Sequence, residues 1–186
     1  MARVFVDANV LYPFSVMDLI LALTEDGIHD VLWTEELLDE WERVIVRGGK
    51  RSPDAAAGIT ATIRGFFADT RIPPDSYRNL VTEVGGRDPD DDVHMAAAVA
   101  AGADALVTWN EKDFTCDFMK DHAVPVMDPD AYLCSLYDEF PDEVASTITR
   151  LAAEKRRPPL MPSDLVDSLE RAGVREFASK AREHLG

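Results

Sequence analysis

Val4-Phe5-Val6-Asp7-Ala8-Asn9, six residues near the start of the chain, set the reading of everything after them. Three consecutive apolar, strand-favouring residues stop at a carboxylate. Asn9, Tyr12 and Pro13 then form a loop. A short apolar run without alternation suits a strand buried on both faces, as in a parallel sheet. The same pattern returns at Val31-Leu32-Trp33 and at Ala105-Leu106-Val107-Thr108. Val124-Pro125-Val126 gives a weaker fourth strand, and its proline places it at an edge.

Helical spacing fills the intervals. An apolar pattern runs from Val16 to Leu23 and closes at Asp26-Gly27. Thr34 stands where it can cap a helix whose face carries Leu37, Leu38, Trp41, Val44 and Ile45, stopped by Gly48-Gly49. Ser52-Pro53 opens another through Ile59, Ile63, Phe66 and Phe67. Residues 72–86 look irregular, with a short strand or a helical turn over 77–84. Asp88-Pro89-Asp90-Asp91-Asp92 leads into an alanine-rich helix to Ala101, closed by Gly102. Strands alternating with helices imply an α/β doubly wound parallel sheet of four or five strands. After about Leu133 only helical patterns remain: 142–154, 163–171 and 175–184, separated by Arg157-Pro158-Pro159 and by Gly173. The expected division is an α/β domain over 1–133 and a helical extension over 134–186.

Composition bounds the answer. The 186 residues are 46% hydrophobic and 29% charged, a globular balance. No apolar run approaches the roughly 20 residues that cross a bilayer. The N-terminus meets Asp7 too early for a signal peptide, so a cytoplasmic protein with no membrane association is expected. Cys116 and Cys134 make no disulfide framework and read as small, partly buried apolar residues. Net charge is −16, which repels nucleic acid unless cations held by carboxylates reverse the local sign or basic patches do the contacting. The candidate patches are Arg43, Arg47, Lys50 and Arg51, then Lys155, Arg156 and Arg157; either could equally be a solvated helix face.

Ligands of open α/β sheets sit at the carboxyl ends of the strands. Acid recurs at that edge: Asp7 after the first strand, Glu36 and Glu40 in the helix after the second, and the aspartate run before the third. Thr108-Trp109-Asn110 then follow the third strand, with Asp113 close behind. Crowded carboxylates repel one another, and a hard divalent cation offsets the repulsion. Such a site polarises a phosphoryl oxygen and activates water. No histidine or cysteine cluster competes for zinc. Each residue also has a plainer reading. Asp7 could bond loop amides, and Glu40 could face solvent. The aspartates could serve as cap and first-turn acids, and Asp113 as a loop residue or cap. His94 could be a base or a helix histidine with local hydrogen bonds, and Trp109 could stack on a nucleobase or pack at the core's rim. Trp33 and Trp41 read as core or interface.

These residues resemble the PIN domain ribonucleases over about residues 3–133. Val4-Phe5-Val6-Asp7-Ala8-Asn9-Val10-Leu11 is similar to the family's first strand with its leading aspartate. Trp33-Thr34-Glu35-Glu36-Leu37-Leu38-Asp39-Glu40 is similar to its second motif, whose last glutamate is the metal ligand, favouring Glu40 over Glu36. Asp88-Pro89-Asp90-Asp91-Asp92-Val93-His94-Met95-Ala96-Ala97-Ala98 is similar to the third, pointing to Asp92, with Asp91 as a one-residue register alternative. Thr108-Trp109-Asn110-Glu111-Lys112-Asp113-Phe114 is similar to the fourth. Many members carry aspartate where this chain has Asn110, so Asp113 would supply the fourth acid, and one-metal and two-metal chemistry both stay open.

The resemblance implies an endoribonuclease in which Asp7, Glu40, Asp92 and Asp113 hold Mg2+ or Mn2+ while Asn110 and Thr108 set the geometry. It implies 5′-phosphate and 3′-hydroxyl products from structured RNA such as tRNA or rRNA. It further implies the VapC-type toxin of a toxin–antitoxin pair, with an antitoxin protein as partner and a homodimer as assembly. The C-terminal helices resemble an extension found on a subset of these proteins. Two other readings stand beside it. An aspartyl-phosphate phosphatase or phosphotransferase would use Asp7 as nucleophile, but Asn9 occupies the position where a second acid is needed. A non-catalytic binding module would keep the fold alone.

Overall fold

The first strand exists because Val4, Phe5 and Val6 are stiff or bulky side chains that pack well on a pleated, two-sided buried surface. In the computed structural model, which describes residues 1–155 and 159–185, β1 spans Ala2–Val6 and lies inside the sheet. The chain then forms α1 (Phe14–Glu25), β2 (His29–Leu32), α2 (Glu35–Arg47), α3 (Pro53–Phe66) and α4 (Val81–Val84). It continues through α5 (Pro89–Ala100), β3 (Ala105–Val107), α6 (Glu111–Phe114), α7 (Asp117–Asp121) and β4 (Val126–Met127). Four more helices follow: α8 (Pro129–Glu139), α9 (Pro141–Glu154), α10 (Pro162–Ala172) and α11 (Arg175–Leu185).

The sheet order is β2-β1-β3-β4, and every pairing is parallel. The expected doubly wound α/β fold is therefore present with four strands. β4 is at the edge, directly after Pro125, whose carbonyl accepts from the Leu106 N–H. From β1 the chain steps to β2 on one side and later to β3 on the other. Right-handed crossovers then put α1 and α5 on opposite faces. The reversal also opens a crevice between the ends of β1 and β3, where ligands of such sheets bind.

Local chemistry sets the boundaries. The Thr34 hydroxyl accepts from Leu37 N at 3.1 Å and opens α2; Ser52 does the same for α3 through Ala55 N at 3.3 Å. Asp88 caps α5 by accepting from Asp90 N at 3.0 Å, so Asp90, Asp91 and Asp92 already belong to its first turn. The segment 77–84 is a helical turn, not a strand. Trp33 and Trp41 are buried and donate to the carbonyls of Phe67 and Leu11. The cysteines are free, Cys134 buried and Cys116 partly so.

The expected division after residue 133 falls inside α8. Tyr132, Leu133 and Tyr137 of that helix join the same core as the sheet. His29 of β2 is fully buried between Tyr132 Oη, 2.7 Å from Nδ1, and the Ile20 carbonyl, 2.9 Å from Nε2. A carbonyl only accepts, so Nε2 carries the proton and Nδ1 accepts from the tyrosine. Helices α9 and α10 pack on α1. Asp130 of α8 accepts from the N–H groups of Glu176 and Phe177 at 2.9 and 2.8 Å, supplying the cap that α11 lacks in its own sequence. Gly173, at φ +117°, turns the chain between α10 and α11 beneath Trp109, where a side-chain β-carbon would come within 3.1 Å of the indole. Of the second basic run, Arg156 and Arg157 lie outside the described residues, as does Pro158 of the expected helix break, and Lys155 pairs with Asp18.

Candidate metal centre

The ends of β1 and β3 deliver Asp7 and Thr108 to the crevice, and helices α2 and α5 bring Glu40 and His94. Asp7 leaves β1 with its side chain only 4% exposed. One of its oxygens accepts from the Thr108 hydroxyl at 2.8 Å. That hydroxyl in turn accepts from Asn9 Nδ2 at 3.1 Å and from Asn110 N at 3.0 Å, while Asn9 Oδ1 accepts from Trp109 N at 3.2 Å. A hydroxyl with one proton and two lone pairs is thereby saturated, and the loops after β1 and β3 are locked together.

Glu40 reaches the same place from α2. Its Oε2 lies 2.7 Å from Nε2 of His94, which is only 2% exposed. Asp7, Glu40 and His94 each offer a ligand-type atom, and all three atoms lie within 4.8 Å of one another. Glu36, one turn earlier, is turned away and accepts from Tyr77 Oη at 2.6 Å. Sequence reasoning set His94 down as a base or a locally bonded histidine. Its bond is instead to a residue 54 positions away. Only tertiary pairing of α2 with α5 creates that contact, so nothing in the local pattern could signal it.

The adjacent aspartates part company. Asp92 Oδ1 accepts from Gly86 N at 2.9 Å, tying the turn before α5, and a β-carbon on Gly86 would collide with it at 2.1 Å. Asp91, half-buried, feels the charges of Asp7, His94 and Glu40. Asp113 sits farther out: Asn110 Nδ2 donates to it at 2.5 Å, and the Arg87 guanidinium stands 3.5 Å away.

The electrostatics describe a site short of positive charge. Burial is the main force raising Asp7 above the usual carboxylate range, aided by Glu40 and opposed by Thr108 and His94. Asp91 is pushed up to about 6, first by burial and then by the carboxylates of Asp7, Asp88 and Glu40, with His94 acting against them. Burial pushes the His94 imidazole down. The Glu40 bond and the fields of Glu40, Asp7 and Asp91 outweigh it, and its pKa ends above the ordinary value. His94 is thus the local counter-charge, and its Nδ1 is buried without a hydrogen-bond partner among the described residues. Two carboxylates about 5 Å apart repel by about 3 kcal/mol at an effective dielectric near 20. Oxygen donors that mutually resist ionisation, with one shared cation between them, fit a hard divalent ion.

Beside this cluster opens a cleft of about 800 Å³, lined by Glu40 and His94 and, farther along, by Arg43, Val46, Arg47, Pro53 and Val93. Trp109 is half-buried under Gly173, which makes it rim packing.

A curated relative named "Putative ribonuclease VapC50", from Mycobacterium tuberculosis (strain ATCC 25618 / H37Rv), is 31% identical over 106 residues. That match covers 57% of this chain and 62% of the relative. No solved structure matches the chain. The family model described as the VapC50 C-terminal domain matches residues 129–183, beginning at the first residue of α8. The PIN domain model matches residues 2–112, more than half of the chain and the strands β1, β2 and β3, and the protein belongs to the PIN domain family.

Proposed function

We propose that the chain is a metal-dependent endoribonuclease and the toxin component of a type II toxin–antitoxin pair. In this reading Asp7, Glu40 and Asp91 hold Mg2+ or Mn2+. The observation that carries it is the convergence of Asp7, Glu40 and His94 within 4.8 Å at the strand ends, with Asp91 charge-coupled to all three. Of the two register alternatives the reading takes Asp91, which shares the fields of Asp7, Glu40 and His94, whereas Asp92 Oδ1 ties the Gly86 turn. Asp113 acts from the rim through Asn110. The name of the matched relative supports RNA as substrate, with tRNA or rRNA the structured RNAs implied by the resemblance.

When bound, the ion supplies charge at the scissile phosphate and acidifies the attacking water. The chain's own groups do the rest. Thr108 holds the Asp7 carboxylate in one orientation, and His94 holds Glu40. Such supporting bonds fix ligand geometry and commonly matter 10–100-fold. Asn110 donates to Asp113 and spans the gap between it and Thr108. The phosphatase reading is disfavoured because Asn9 stands where a second acid is needed and its amide is spent on the β3 loop.

An antitoxin protein is the proposed partner. Phe66, 78% exposed, stands beside Phe14, Met17, Leu21 and Ile59 on a groove that shares no residue with the cleft beside Glu40 and His94, a surface suited to an apolar segment. A homodimer and a cytoplasmic site of action complete the reading. Among the described residues no helix is long and apolar enough to cross a membrane.

The deciding experiment incubates purified protein, free of any co-purified partner, with structured RNA and Mg2+ or Mn2+. Cleavage that stops with chelator and with Asp7→Asn supports the reading. Equal cleavage by wild type and variant ends it.

A further inference from the structure

Glu40, Arg43 and Arg47 follow one another at i, i+3 and i+7 on α2, and so lie along one helix face. All three line the 800 Å³ cleft. With about 1.5 Å of rise per residue, Arg43 stands about 4.5 Å and Arg47 about 10.5 Å along the axis from Glu40. The guanidiniums therefore step away from the carboxylate cluster in the direction the cleft runs.

Their position in the cleft is joined to an open pairing state. The molecule carries a net charge of −16, and several of its arginines are engaged with carboxylates: Arg64 with Glu35 and Asp39, Arg71 with Glu35, Arg87 with Asp113, Arg150 with Asp26 and Glu154, Arg182 with Asp167 and Glu170. Arg43 gives only its Nε–H to the Asp39 carbonyl, at 3.3 Å. Among the described residues neither Arg43 nor Arg47 forms an ion pair. The carboxylates that share the cleft are mostly drawn elsewhere: Glu36 to Tyr77, Asp39 to Arg64, Glu42 to the Thr60 hydroxyl at 3.0 Å. Asp90, exposed at the start of α5, is the acid left on the opposite wall. Lys50 and Arg51 do not continue the row, because they lie over the rings of Tyr12 and Phe14 at 5.6 and 4.1 Å.

Two exposed guanidiniums left without carboxylate partners, in a strongly acidic protein, are placed to take anions from outside. A planar fork of donors matches a phosphodiester in particular. Val46, Pro53 and Val93 give the cleft an apolar wall against which sugars or bases can rest. We propose that Arg43 and Arg47 bind successive backbone phosphates of a single-stranded RNA segment, both to one side of the phosphate that lies at the carboxylate cluster. They thereby set the direction in which the strand crosses the site. This rests on the ribonuclease reading and adds to it a defined RNA path. The two arginines are positioning residues and touch no reacting atom.

The test measures binding of a fluorescein-labelled, mixed-sequence single-stranded RNA by anisotropy, across about 50 to 200 mM salt. It uses the full chain in an Asp7→Asn background that prevents cleavage. Each phosphate contact contributes about −0.7 to the slope of log K against log salt for single strands. The double variant Arg43→Gln/Arg47→Gln is expected to flatten that slope by about 1.4. Arg43→Lys/Arg47→Lys should restore most of it. In the otherwise wild-type chain the Gln pair should raise KM for RNA, leave kcat within about twofold, and leave Mn2+ affinity by calorimetry unchanged. An unaltered slope and KM, in a wild-type protein that does cut RNA, overturns the strand path and leaves the ribonuclease standing. A wild type that neither cuts nor binds RNA, yet takes up Mn2+, removes both. Loss of Mn2+ affinity in the Gln pair would show that the arginines support the metal centre instead, and would also overturn the proposal.

Discussion

The crevice at the ends of β1 and β3 and the helical layer of α8–α11 treat charge in opposite ways. In the helical layer many charged groups have partners. Asp130 caps α11, Lys180 pairs with Asp138, and Arg182 bridges Asp167 and Glu170. In the crevice, acids are pressed together until Asp7 and Asp91 resist ionisation, with His94 left to offset them. The first arrangement lowers the energy of the folded chain; the second raises it in exchange for a place to bind an ion. A functional site is recognisable here by the absence of the compensation practised a few residues away.

Removing the strain at its centre should give the largest effect. Asp7→Asn is expected to reduce RNA cleavage by on the order of 10³-fold, a size typical of losing one preorganised charge at a reaction centre. The same change should stabilise the ion-free protein by about 1 kcal/mol in urea unfolding, since a buried repelling charge is gone. Loss of stability instead would mean that Asp7 is structural and that the contrast between the two regions is mistaken.

The two neighbouring aspartates sharpen the contrast. Asp91→Asn should weaken Mn2+ binding, measured by calorimetry, by at least about tenfold, as removal of a ligand carboxylate would. Asp92→Asn should change it by less than about threefold while loosening the Gly86 turn. The reverse order would return the ligand role to Asp92. Asp91 also makes the affinity pH-dependent. Its pKa is raised to about 6, so below that pH a proton must leave before an ion can bind. Mn2+ affinity should fall as pH drops through about 6, and that fall should be shallower in Asp91→Asn.

In the helical layer the effects should be on stability alone. Asp130→Ala removes the acceptor of two α11 amides and should cost about 1–2 kcal/mol in urea unfolding, with cleavage per folded molecule unchanged. A large loss of activity without loss of stability would show that this layer takes part in the chemistry.

The smallest effect expected is at His29. Burial holds its pKa below the ordinary value, against the Ile20 carbonyl and Asp30. Below about pH 6.5 the unfolded chain binds a proton that the folded chain refuses. Stability from this residue is therefore present above that pH and lost as pH falls toward the folded pKa. His29→Gln should be less stable at neutral pH but should flatten the decline between about pH 6.5 and 5. An unchanged slope would exclude His29 as its source.

How much of this was legible in the sequence follows from the range of each interaction. The strands, their parallel pairing and the edge position of β4 were readable because short apolar runs and a proline act locally. Thr34, Ser52 and Asp88 announced their helices for the same reason. α8 was missed because Asp128-Pro129 sits within the segment assigned to the end of the α/β domain, and the helix crosses the expected boundary. In the site, Asp7, Glu40 and Thr108 were identified and do converge. The resemblance pointed to Asp92 with Asp91 as the register alternative, and residues 91 and 92 project about 100° apart on a helix. Which one faces the sheet depends on how α5 is rotated, and that is set by packing. His94 was underrated because its Glu40 bond joins two helices that are far apart in sequence.

Gly173 ties the two regions together mechanically. The turn it makes, open only to a residue without a side chain, wedges against the back of the indole of Trp109, and that indole belongs to the segment presenting Thr108 and Asn110. The far end of the polypeptide thus serves as a backstop for the rim of the crevice. Trimming the chain before this bend would leave every carboxylate of the crevice in the protein yet deprive one jaw of that crevice of its support.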